Sequence, residues 1–157
     1  MYKKNKVLAL DLATRTGWCF EDHRYLAYGE WDLSFKKDES PGMRIVRFMS
    51  KLTELLDGVK PDIIAYELPT GKYITPIKTE SELIGVLKLT AEQRGIEYKG
   101  YSPSEIKKWA TGKGNANKAL MIAAAEGRYG IANTTDNEAD AIHLCKMVRE
   151  SLGYSFK

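Results

Sequence analysis

Two acids stand where apolar runs end. Asp11 follows Val7, Leu8, Ala9 and Leu10, and Glu67 closes the run DIIAYE. A carboxylate at the buried end of a strand is costly unless something pairs with it. In open α/β sheets that same edge is where sites are built. A third source of acid is TDNEADAIH, where Asp136, Asp140 and His143 are spaced by four and three and share one face of a helix. If the two strands are neighbours, three segments deliver carboxylates to one point. Like charges so placed repel, and such a cluster survives by binding divalent cations. Oxygen donors favour Mg²⁺, with Mn²⁺ as a substitute, over zinc. Two such ions about 4 Å apart would activate a water and stabilise the leaving oxygen of a phosphodiester.

Each residue also has an ordinary role open to it. Asp11 fits an Asx turn after a strand, and Glu67 fits a surface acid at a strand end. Thr135 and Glu138 match a capping box, which makes Glu138 structural, and Asp136 would favour the helix N-terminus through the dipole. His143 fits a satisfied core histidine. The two strand-end acids taken together with Asp140 raise the joint reading above its parts.

A basic segment follows. Lys107, Lys108, Lys113 and Lys118 cluster around Gly112 and Gly114. Glycines allow close backbone approach to phosphates, and lysines supply sequence-independent, salt-sensitive attraction. The next helix offers its N-terminus to a phosphate. A solvated basic face explains the composition equally well, and the nearby acids favour DNA. GKGNANK lacks the Gly-Lys-Ser/Thr ending of a nucleotide P-loop, so no nucleotide cofactor is expected. Trp109 reads as core packing.

The elements that must position these groups are legible. A first strand spans residues 6 to 12, Gly17 marks a turn, and GWCFED and YLAYGEWDLS form two more strands joined near His23 and Arg24. KKDESPG is a polar loop. MRIVRFMSKLTELLDGV is a helix by the recurrence of Ile45, Phe48, Met49, Leu52, Leu55 and Leu56, closed by Gly58. The strand DIIAYE follows, then a loop, a helix from about residue 79 to 94, and the strand GIEYKGYS. Ser102, Pro103 and Glu105 form a capping box for the next helix, and two helices complete the chain. This order implies an α/β fold with a central sheet covered by helices.

The 157 residues, 43% hydrophobic and 29% charged, suit a single domain over 1–157 rather than a disordered chain. The net charge of +3 permits a nucleic-acid partner without demanding one. Cys19 and Cys145 lie in apolar stretches without metal-ligand spacing and read as reduced core thiols of a cytoplasmic protein. The N-terminal apolar run is too short for a signal peptide, and no membrane partner is expected.

LALDLATRTGW, IIAYELP, SPSEIKKWATGKGNANKALMIAAA and DNEADAIHL together resemble the RuvC-type Holliday junction resolvases, particularly the shorter phage versions. The resemblance spans nearly the whole chain in order and spacing. It implies an RNase H-like fold with a mixed five-stranded sheet, a homodimer, and hydrolysis of branched DNA, four-way junctions and forks, with two divalent ions per site. By that resemblance Asp11, Glu67 and Asp140 are catalytic metal ligands. Asp136 is the expected fourth acid, although Asn137 stands three before Asp140 where the family carries one. Lys107 and Lys118 resemble DNA-contacting lysines, and Lys113 joins them. Where cellular resolvases place an aromatic wedge this chain has LPTGKY, with Thr70 in that region and Tyr73 as a possible substitute. Leu83, Ile84, Val86, Leu87 and Leu89 form the expected dimer surface, shared with ordinary core packing. An RNase H-like nuclease on RNA–DNA hybrids and a non-catalytic branched-DNA binder remain alternatives. A sugar-kinase-like phosphotransferase would need a second such domain.

Overall fold

In the computed structural model, which describes residues 3–154, β1 (Val7–Asp11) is central to a five-stranded sheet. β2 (Arg15–Glu21) and β3 (Leu26–Asp32) continue it as an antiparallel meander, while β4 (Ile63–Glu67) and β5 (Glu97–Tyr101) lie parallel on the other side. The order is β3-β2-β1-β4-β5, the mixed sheet expected of an RNase H-like fold.

Both faces of β1 are buried, and strand alternation sorts its side chains. Val7 and Ala9 join Ile63 and Ala65 in one core layer, covered by α3 (Pro103–Thr111), α4 (Lys118–Tyr129) and α5 (Asp136–Ser151). Leu8 and Leu10 join Ile64 and Tyr66 in the other, covered by α1 (Met43–Val59) and α2 (Ile74–Arg94). Asp11 and Glu67 share parity with the first set. Their strands pair in register through Leu10 and Tyr66, so the next residues, the two acids, leave the sheet side by side toward α5.

Three local expectations are corrected. Gly17 lies inside β2, paired with Asp11, and the turn falls earlier, where the Thr16 hydroxyl donates to the Ala13 carbonyl at 2.7 Å. Helix α1 runs past Gly58 and closes at Lys60, which takes the left-handed conformation (φ 47°). Pro61 follows, which disfavours continued helix at residue 60. Helix α2 starts at Ile74 rather than near residue 79, because Pro76 falls in its first turn, where a missing N–H costs nothing.

Capping defines the ends of the helices near the site. The Ser102 hydroxyl accepts from the Glu105 amide at 3.2 Å and caps α3, one half of the expected box. The full reciprocal box forms at α5, where Thr135 Oγ1 accepts from the Glu138 amide and the Glu138 carboxylate accepts from the Thr135 amide. Glu138 is therefore structural. Helix α5 lies against β1 and β2 and is buried from Ala139 to Arg149 apart from Asp140, which is half-buried. Its C-terminal half is tied to the sheet by Lys146, which reaches Glu21 at 2.8 Å. Cys19 and Cys145 are free and buried, as expected.

Candidate active site

Three elements deliver the acids. Asp11 ends β1, Glu67 ends β4, and Asp140 sits in the second turn of α5, and each offers a carboxylate oxygen within 4.8 Å of those of the other two. α5 reaches this position because β2 carries Gly17 opposite Asp11, so the first turn of the helix rests on bare backbone.

The electrostatics are those of a site short of positive charge. Burial, then the charges of Glu67 and Asp140, hold the Asp11 carboxyl well above the usual range. Burial raises Glu67 as well, against lowering by a bond with Asp11 and by the Lys107 ammonium. Asp140 is pushed up to about 7 by burial, Glu67 and Asp136, opposed by Lys107 and Lys118. All three are shifted toward the protonated form, Asp140 to about 7, and a bound cation would oppose that shift. An all-carboxylate donor set of this spread suits a hard divalent ion, and the nearby histidine adds no nitrogen ligand.

That histidine is the satisfied core residue expected of it rather than a member of the acid face. His143 is fully buried in the α4–α5 interface. Its Nε2–H donates to the Met121 carbonyl at 2.8 Å, and its Nδ1 accepts from the Tyr129 hydroxyl at 2.9 Å. A step of three residues from Asp140 rotates the side chain past the site and into the core.

Asp136 lies beside the triad rather than in it. Its carboxylate is paired with Lys118 Nζ at 3.3 Å. Asn137 turns the other way and donates to the Glu30 carboxylate at 2.9 Å. Lys107 of α3 is near enough for its charge to lower Glu67 and Asp140, and Lys113 stands in the loop between α3 and α4, where its amide donates to Thr111 Oγ1 at 3.1 Å. Trp109 packs against the core beneath the Arg128 guanidinium, 4.2 Å from its ring centroid, as expected of a packing residue. Tyr73 and Ile74 are 75% and 82% exposed at the start of α2.

One acid near the centre was not anticipated. Glu80 of α2 lines a cavity of about 80 Å³ together with Asp11, Leu12, Glu67, Leu68, Thr70 and Pro103. Burial and the Glu67 charge push it up to about 7. The signal was present in the sequence: residues 80, 83, 84, 87 and 91 form one helical stripe, and an acid occupies its first position.

The family model described as "Crossover junction endodeoxyribonuclease RuvC" matches residues 22–145. A protein of that name from Brachyspira hyodysenteriae is 30% identical over 134 residues, covering 83% of this chain and 84% of its own length. Another, from Corynebacterium efficiens, is 34% identical over 105 residues, covering 64% of this chain. The match spans about half, 47%, of that relative's length. Among solved structures, T. thermophilus RuvC in complex with Holliday junction substrate superposes with a TM-score of 0.75 at 18% identity, covering 94% of this chain and 97% of that one. The yeast mitochondrial Holliday junction resolvase superposes with a TM-score of 0.61 at 15% identity, covering 97% and 86%. At such identities the superpositions establish the fold.

Proposed function

Because the chain belongs to the crossover junction endodeoxyribonuclease RuvC family, we propose that it is a metal-dependent endonuclease that cuts Holliday junctions and other branched DNA. The observation that carries this reading is the meeting of Asp11, Glu67 and Asp140 within 4.8 Å at the end of the sheet. Residues 1–157 act as one nuclease domain with Mg²⁺ as the physiological ion, two per site.

Asp11, Glu67 and Asp140 would hold the cations, which would supply activation of a water and compensation of the charge that develops on the leaving oxygen. Lys107, whose charge acts on Glu67 and Asp140, limits the repulsion between the acids and presents an ammonium to a phosphate beside them. Lys113 and Lys118 attract the backbone of the DNA arms without reading sequence. Asp136 orients Lys118 through their ion pair.

Symmetric cutting of a four-way junction calls for two sites related by a two-fold axis. Leu83, Ile84 and Leu87 are committed to the core of their own chain. The remaining apolar surface on that side is a groove along α1 and α2, with Ile45, Val46, Met49, Val86 and Leu89. Val46 and Leu89 are more than half exposed, and we assign this surface to the homodimer contact.

The test is cleavage of end-labelled four-way junction, fork, linear duplex and RNA–DNA hybrid in Mg²⁺ or EDTA, by wild type and Asp11→Asn. Paired Mg²⁺-dependent nicks near the branch point, absent from the variant, are expected. Cutting confined to the hybrid would move the activity to the RNase H class. Junction binding without cleavage under any metal would leave a binding module.

A further inference from the structure

A three-carboxylate centre supplies few ligands for two divalent ions, each of which favours about six oxygens. The acid expected from the first turn of α5 is engaged elsewhere, since Asp136 holds Lys118 and Asn137 holds Glu30. Glu80 approaches from the opposite layer of the fold.

Its position is unusual for a solvated acid. Leu83, Ile84, Leu87 and Ala91 are the buried stripe of α2, in the core layer that also holds Leu10 and Tyr66. Glu80 continues that stripe one turn toward the N-terminus, where the core layer stops and the cavity containing Asp11 and Glu67 begins. It is the seventh residue of α2, beyond the first turn where a helix dipole rewards an acid. Among the described residues no lysine, arginine or histidine forms an ion pair with it. The backbone beneath it is fixed, because the preceding Thr79 is buried and accepts from the Arg44 guanidinium at 3.4 Å. The cavity of about 80 Å³ has room for an ion with part of its water shell, given that one water occupies roughly 30 Å³ in the liquid.

We propose that Glu80 is a fourth carboxylate of the cation centre, binding the second divalent ion directly or through one water. The inference rests on the metal-dependent reading above. It makes α2, rather than the first turn of α5, the element that completes the centre in this chain. The same helix carries the apolar groove assigned to the dimer contact, so the second cation would be held by an element that also meets the partner.

Binding of Mn²⁺ to the full-length protein, measured by calorimetry and by electron paramagnetic resonance without DNA, tests it. Wild type is expected to bind two ions per chain. Glu80→Gln should keep the first and weaken the second at least tenfold, with an unfolding temperature no lower than wild type. Glu82→Gln, an exposed acid on the same helix, should bind as wild type does. Two ions bound to Glu80→Gln with unchanged affinities would overturn the proposal, as would a single ion in wild type unaffected by the substitution. Asp11→Asn separates the two levels of inference. Its failure to weaken Mn²⁺ binding would refute the metal centre itself, whereas an effect of Asp11→Asn without one of Glu80→Gln would refute only the role of Glu80.

Discussion

The carbonyl oxygen of Asn137 lies directly over Gly17, so close that a β-carbon at position 17 would sit 2.0 Å from it. Gly17 pairs with Asp11 across the sheet, and Asn137 is one turn before Asp140. The missing side chain therefore sets the height at which α5 delivers its acid. Gly17→Ala should lift the first turn of α5, reduce stability by about 1–3 kcal/mol as overpacking does, and weaken Mn²⁺ binding. Thermal unfolding and calorimetry on one preparation read both effects. A variant with unchanged cation affinity would show that Asp140 is placed by other contacts.

Burial and the charges of Glu67 and Asp140 hold the Asp11 carboxyl well above the usual range. Asp11→Asn removes a charge that the metal-free protein must accommodate. At pH 8 without divalent ions the variant should be more stable than wild type, by about 1 kcal/mol or more for each unit by which the native carboxyl is raised. Saturating Mg²⁺ should stabilise wild type and leave the variant unchanged, reversing their order. Unfolding curves with Mg²⁺ or EDTA provide the comparison.

His143 gives the protein a weakness on the acid side. Burial holds its imidazole below the ordinary histidine value and keeps the Tyr129 phenol protonated as donor. Below about pH 6.5 the unfolded chain binds a proton at this position that the native protein refuses, so stability falls as pH drops toward the lowered native value. The slope approaches ~1.4 kcal/mol per pH unit for this one group. Comparing urea midpoints at pH 7.5 and 5.5 for wild type and His143→Gln isolates it, since the raised carboxyls of the site contribute with the opposite sign to both. His143→Phe should cost about 3 kcal/mol at pH 7.5, because the Tyr129 hydroxyl and Met121 carbonyl lose their partner.

Lys113 tests backbone attraction without touching the acids. Lys113→Ala should weaken binding to junction and duplex alike, and reduce the slope of log affinity against log salt by about 1. Fluorescence anisotropy over a salt series measures this. A loss restricted to junctions would mean that the loop recognises branching.

The strand-end acids were legible because β1 and β4 are short apolar runs whose last residue had to emerge at the sheet edge. The register that brings them side by side is a tertiary property, though the shared length of the runs hinted at it. Helical spacing was a weaker guide on α5. Positions 136, 140 and 143 lie on one broad face, yet the helix is so deeply embedded that a small rotation separates a ligand from a core residue. Asp136 ends on Lys118 and His143 on Tyr129. Glu80 does not stand out in the sequence because a lone acid at the head of an apolar helical stripe has the pattern of a solvated helix end, and only the fold sets it against the strand-end acids. Within the expected dimer surface, core packing claims Leu83, Ile84 and Leu87 as its share, because hydrophobicity alone does not tell buried Leu83 from Leu89, which is more than half exposed.

The three acids that meet at the sheet edge lie far apart in the chain, and the last is on a helix near its C-terminal end. During biosynthesis at roughly 5–20 residues per second, Asp11 leaves the ribosome on the order of ten seconds before Asp140. Until then the nascent chain has the strands and two of the acids but no α5 to cover β1 and β2. A stalled or clipped product lacking that helix is left without its third acid and with one face of its sheet bare.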